Sequence, residues 1–154
     1  MEAHKRLAGK IWRWLPPSVR RSLIRATQKK FTVSVVAVVR NEKDEILLLD
    51  HVLRPGSGWG PPGGFIDRNE QPEDAIRREI REETGLEITE PEMIWIRTVQ
   101  GHVEILFRAR AAAEGGGELK VTSAEIHSAR WFAFSEMPAE MSPVQKFVIE
   151  KTLS

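Results

Sequence analysis

Apolar positions along the chain follow two regimes that change at Phe31. Before it, Leu7, Ile11, Trp14 and Leu15 recur at i, i+4, i+7 and i+8, the spacing of one helical face. Pro16-Pro17 ends that helix, because proline cannot donate to the helical ladder. Ser18 is placed to cap a second helix with a smaller stripe of Val19, Leu23 and Ile24. From Phe31, "FTVSVVAVVR" is β-branched and nearly all apolar, which predicts a strand buried on both faces. "NEKDE" predicts a turn and "EILLLDH" a second strand. "VLRPGSGWGPPGGF" reads as a Gly/Pro loop. Pro72 suits the first turn of a helix that runs to Thr84, where Gly85 supplies a left-handed cap. Strands are predicted over Met93–Gln100 and Val103–Ala113, a turn at Gly115–Gly117, and a last strand in "ARWFAF". Ser142-Pro143 opens a C-terminal helix. Mixed strands and helices of this kind imply an α/β (α+β) sandwich around a mixed sheet.

Composition sharpens this picture. The 154 residues suit one domain with a core that needs no staples. The lack of cysteine excludes disulfides, zinc–thiolate sites and thiol catalysis, and fits a cytoplasmic setting. No apolar run reaches the ~18 residues of a membrane span. The net charge of +1 is unevenly distributed. Residues 1–30 carry nine Lys/Arg against one Glu, a net of +8, and residues 31–154 carry 14 against 21, a net of −7. The expected organisation is a basic helical arm, 1–30, packing on or flanking a domain at 31–154. The arm's apolar faces suit packing on the body. Its charge equally suits an anionic membrane surface or RNA. Its Arg-rich, acid-poor composition also resembles a transit peptide. Homodimerisation is left open.

The stretch "REIREETG", Arg78–Gly85, sets Glu79, Glu82 and Glu83 on one helix. With Ala75 at zero and about 100° per residue, Glu82 lies near −20°, Glu79 near 40° and Glu83 near 80°. Ile76 and Ile80 follow near 100° and 140°, so the acids border the apolar stripe. Glu79 and Glu83 are i,i+4, where like charges repel, and partial burial raises a carboxyl's pKa. A cation resolves the conflict, and an all-oxygen donor set suits Mg²⁺ or Mn²⁺ rather than zinc. A solvated face pairing with Arg78 and Arg81 is the plainer alternative. Gly63-Gly64 allows close backbone approach and could present a carbonyl to the same cation. Glu70, just before the helix, could join the cluster.

Gly64, five residues, Glu70, seven residues, then Arg78-Glu79-Ile80-Arg81-Glu82-Glu83-Thr84-Gly85-Leu86 matches the 23-residue Nudix signature at each specified position. The sequence thus resembles the Nudix hydrolases, more loosely over Phe31–Pro138, with the arm outside the family core. The resemblance implies a Nudix fold, a mixed β-sheet sandwiched between helices. It also implies Mg²⁺- or Mn²⁺-dependent hydrolysis of a nucleoside diphosphate linked to another moiety, a small-molecule substrate. Carried over by position, Glu82 and Glu83 look like metal ligands and Glu79 like a ligand or general base. The Gly63 carbonyl looks like a backbone ligand, Arg78 an orienting group, and Glu70 and Gly64 supports of the cluster. Glu125, in "SAEIHSARWF", is the candidate for a late-loop general base, with Glu104 a weaker one.

The substrate stays open. The proline that marks ADP-ribose-type members is missing from "TVQGHVEIL", no tyrosine exists to mark the diadenosine polyphosphate type, and the NADH and coenzyme A markers are absent. Trp59 could stack on a base or pack beneath the glycine loop. Arg54 could meet phosphate or stay solvated. His51, His102 and His127 share no spacing and receive no chemistry. The alternatives to a small-molecule hydrolase are a nucleotide-sensing Nudix domain that does not cleave, or an RNA 5′-end pyrophosphohydrolase that uses the basic arm.

Overall fold

The first strand of the body, β1 (Thr32–Arg40), organises the sheet in a computed structural model that describes residues 9–54, 57–112 and 119–153. Val35, Ala37 and Val39 face one core and Val38 the other, the period of two expected of a strand covered on both sides. The remaining strands are β2 (Ile46–His51), β3 (Trp59–Gly60), β4 (Gly63–Phe65), β5 (Ile88–Val99), β6 (His102–Ala111) and β7 (Ile126–Phe132). Among the described residues they form a seven-stranded mixed sheet in the order β3-β2-β1-β6-β5, with β4 on β1 and β7 on β2. Only the β1–β6 pairing is parallel.

Two helices cover the sheet. Ala75, Ile76 and Ile80 of α2 (Pro72–Thr84) pack with Val35, Leu47, Leu49, Ile105 and Phe107. Ile149 of α3 (Pro143–Leu153) packs with Val38, Ile46, Leu48 and Trp59 on the other side. Pro72 opens α2, and Glu73 and Asp74 in its first turn complement the helix dipole. Gly85 ends it at φ 73°, with its N–H on the Arg81 carbonyl at 2.9 Å. Ser142 Oγ accepts from the Gln145 N–H at 3.3 Å and so caps α3.

The predicted elements differ from the observed ones in definite ways. Residues 9–14 are helical and α1 (Pro17–Thr27) follows, but Ser18 is not its cap. Pro17 sits at the first helical position, which needs no N–H, and Pro16 occupies the cap position. β5 begins at Ile88 rather than Met93, because register shifts at Thr89/Glu92 and Met93/Trp95 break the alternation. β3 and β4 lie inside the Gly/Pro loop, too short and glycine-rich to leave a periodic pattern. Leu7, Ala113 and the turn at Gly115–Gly117 fall outside the described residues. The chain divides into two compact units, Met1–Phe31 and Thr32–Ser154.

The pairing along one edge of β1 positions the site. β4 takes Ser34–Val36, whereas β2 meets β1 only at Arg40↔Ile46. The sheet therefore forks beside Gly63-Gly64. Gly63 has φ 153°, and a Cβ there would lie 2.2 Å from the Val35 carbonyl oxygen and 2.8 Å from the Val36 Cα. Both atoms are backbone and cannot swing aside. Gly63→Ala is expected to cost about 1–3 kcal/mol of stability, read as a lower urea midpoint with an unchanged m-value.

Candidate active site

A cleft of about 390 Å³ opens where β4 passes α2. Gly63, Gly64, Arg78, Glu79, Glu82, Glu83 and Glu125 all line it. Seven of the positions singled out in the sequence thus meet in one place. His51, Phe65, Asp67 and Ser123 complete the wall.

Arg78 is the hub. Its Nε and Nη2 donate to the two Glu70 oxygens at 2.8 and 2.9 Å, a bidentate pair. Its Nη1 donates to Glu79 at 2.8 Å and to Glu82 at 3.3 Å, and Nη2 also reaches the Phe65 carbonyl at 3.1 Å. Glu70 lies behind the guanidinium and also accepts from the Asp67 N–H at 2.9 Å. The hydrogen bonds from Arg78 and then from Asp67 hold the Glu70 carboxyl down to about 2, and the Glu70 bond raises Arg78 in turn.

Glu83 is treated differently. The helical angles suggested a rim position, yet Glu83 is only 8% exposed, in the middle of the face that holds Ile76 and Ile80. Its Oε2 accepts the Gly63 N–H at 3.1 Å. Burial pushes its carboxyl up to about 8; the Gly63 bond opposes this, and the Glu79 charge adds to it. Burial likewise raises Glu79, against the pull of Arg78. Glu82 is the exposed member, with 59% of its side chain in solvent. Gly64 fits beneath Glu79, since a Cβ there would come within 2.4 Å of that carboxylate.

Glu125 reaches the cleft through the sheet. β7 pairs with β2 up to His51↔Ile126, and the Val52 N–H donates to the Glu125 carbonyl at 2.9 Å. The Glu125 charge is among those felt by Glu83. His51, given no chemistry from sequence, lines the cleft, and burial followed by the Arg54 charge lowers its pKa to about 4. It is therefore neutral at pH 7. Its position at the end of "EILLLDH" was the available signal, but only the pairing with β7 sets it opposite Glu125.

Two of the predicted residues stand outside the cleft lining. Trp59 is 6% exposed, edge-on to Phe132 at 5.1 Å, with the Arg130 guanidinium 4.7 Å over its ring. Its place is the core, and a base would have to displace Arg130 to reach the covered face. Arg54 lies against Gly60, where a Cβ would come 1.7 Å from Nη1, and that nitrogen is buried without a hydrogen-bond partner among the described residues. Burial lowers its pKa, opposed by Glu83 and Glu104.

The fold and this arrangement have known counterparts. A family profile described as the NUDIX domain matches residues 30–151. This chain belongs to the Nudix hydrolase family. A MutT-like protein of Streptomyces ambofaciens is 31% identical over 116 residues, covering 73% of this chain and 71% of that protein. An NAD-capped RNA hydrolase NudC of Pasteurella multocida is 32% identical over 126 residues, covering 77% of this chain; the chain spans only 45% of that relative's length. The crystal structure of a MutT NUDIX hydrolase from Burkholderia pseudomallei matches with a TM-score of 0.65 at 26% identity, over 79% of this chain and 98% of that one. Within this Nudix fold, the box residues are those on β4, the following loop and α2.

Two outcomes follow from the geometry. Gly64→Ala strikes a side chain rather than backbone, so the protein is expected to stay folded while Glu79 is displaced and turnover falls about tenfold or more, measured against the melting temperature. Glu83 holds its proton more tightly when folded, at about 8, than at its ordinary 4.5. Its contribution to stability is therefore complete below pH 4.5 and is lost as pH rises through about 8. With chelator present, denaturant titrations should show this loss in the wild type, and Glu83→Gln should flatten that part of the profile.

Proposed function

We propose that this Nudix hydrolase cleaves the diphosphate linkage of a nucleoside-diphosphate-type substrate with the aid of a divalent cation, Mg²⁺ or Mn²⁺. The observation that carries the proposal is the carboxylate cluster of α2 facing Gly63-Gly64 in one polar cleft. Glu83 is the fit test. Even with the Gly63 N–H and the Arg54 charge opposing it, burial and the Glu79 charge leave this carboxyl raised to about 8, so a further positive partner would favour its anion. Glu82, Glu83 and Glu79 would hold the cation, with the carbonyl of Gly63, and hard oxygen donors of this kind suit Mg²⁺ or Mn²⁺. Among the described residues no three acidic or imidazole side chains already converge as a cage, because Glu79 and Glu82 meet on Arg78. A cation therefore competes with that guanidinium, and the exposed Glu82 side chain is the one with freedom to turn.

When bound, the cation neutralises phosphate charge, polarises phosphorus and acidifies the attacking water. The chain supplies the rest. Arg78 fixes the directions of Glu79 and Glu82 from its anchor on Glu70. Either Glu79 or Glu125 accepts the proton of the attacking water. Burial raises the Glu79 pKa above its ordinary value, the direction that strengthens a carboxylate as a base, and Glu125 lines the same cleft. The −7 body would repel a polyphosphate without the cation's charge.

The relatives named as NAD-capped RNA hydrolases support a second reading, in which the substrate diphosphate caps an RNA 5′ end. A panel of nucleotide sugars, ADP-ribose, oxidised and normal dNTPs, dinucleotide polyphosphates, and 5′-capped or triphosphate RNA, with Mg²⁺ and Mn²⁺, separates the two. Glu82→Gln is expected to lower turnover of the best substrate at least about a hundredfold with the fold intact. Near-wild-type activity in that variant would refute the assignment, and failure to cleave any member would favour a nucleotide-sensing domain.

A further inference from the structure

The helices of residues 9–27 carry several exposed apolar side chains. Trp14 is 87% exposed, Ile11 54%, Leu23 45% and Ile24 47%, and α1 buries no residue. Isolated exposed apolar side chains are ordinary, but a contiguous run marks a surface built to be covered. At about 100° per residue, Trp14, Ile11 and Trp12 span an arc of about 160° on the first helix, with Arg13 opposite and Lys10 beside Trp14. In α1, Ala26, Val19, Leu23 and Ile24 fill an arc of similar width, with Arg21 and Arg25 opposite. Arg20 falls within that arc and is half-buried, with its Nε out of solvent.

Charge identifies what covers this face. Residues 9–30 hold seven Lys/Arg and no Asp or Glu. No ion pair among the described residues uses any of the seven. Arg25, Lys29 and Lys30 line a recess of about 420 Å³ that suits an anionic headgroup. The occupant must therefore offer both anions and hydrocarbon. RNA offers only the first. Trp12 and Trp14 fall on the two borders of the apolar arc, where an indole places its ring in the apolar layer and its N–H among polar groups, the preference shown at a bilayer interface.

We propose that residues 9–30 dock this hydrolase on the surface of an anionic phospholipid bilayer. This rests on the arm alone and stands or falls independently of the substrate. The test is co-flotation of the full chain with vesicles of phosphatidylcholine, alone or with about one-third phosphatidylglycerol. Binding is expected only to the anionic vesicles and should weaken with added salt, as charges at a surface are screened. The double variant Trp14→Ser/Leu23→Ser keeps every charge and should bind at least about tenfold more weakly, as should Arg21→Glu/Arg25→Glu. Unchanged turnover in both variants, which lie outside the cleft, reports an intact body. No binding to anionic vesicles, or undiminished binding by the Trp14/Leu23 variant, overturns the proposal. So does salt-sensitive RNA binding that the Trp14/Leu23 variant retains, which assigns the arm to nucleic acid. Vesicle-independent dimerisation lost in that variant also overturns it, in favour of a second copy.

Discussion

The site depends on one guanidinium. Arg78 holds Glu70 bidentately, bridges Glu79 and Glu82, and grips the Phe65 carbonyl at the end of β4. Without it, three carboxylates would face one another across a partly buried wall, and the loop from Phe65 to Glu70 would lose its tie to α2. Its planar fork makes these contacts at once, which an ammonium could not do. The remainder of the constellation follows from that anchorage. Glu79 is held above Gly64, which has no Cβ to displace it, and Glu83 turns the other way to meet the Gly63 N–H.

Much of this was legible in the sequence because it is local. Pro72 and Gly85 mark the ends of α2, and the spacing from Gly64 to Leu86 carries the identity of the box. β1 and β2 were plain from their apolar runs. What was hidden depends on pairing at long range. Glu125 and His51 face the same cleft because β7 lies against β2, which no local pattern encodes. Glu83 lies deeper than a rim position because Ala75, at zero on the same helix, is fully buried and closes the apolar face on the side away from Ile76 and Ile80. β5 was shortened because its bulges erase the alternation on which strand recognition rests.

Substrate choice was not legible for a different reason. In the proposed function the box would meet the diphosphate, a group common to every candidate, while discrimination would belong to side chains that face the rest of the molecule. Trp59 is spent on Phe132 and Arg130 in the core, and Arg54 is wedged against Gly60. Neither lines the cleft that holds the box carboxylates.

The segment before β7 works as a strut. The Lys120 N–H donates to the Thr84 carbonyl at 3.0 Å, and the Thr122 hydroxyl donates to the Glu82 carbonyl, so both grip the last turn of α2. Three residues on, the Glu125 carbonyl is held by Val52 at the end of β2. The helix end and the opposite lip of the cleft are thus parts of one frame. A substitution that loosens Lys120 or Thr122 would therefore disturb the end of α2 and the Glu125 segment together, although neither residue lines the cleft.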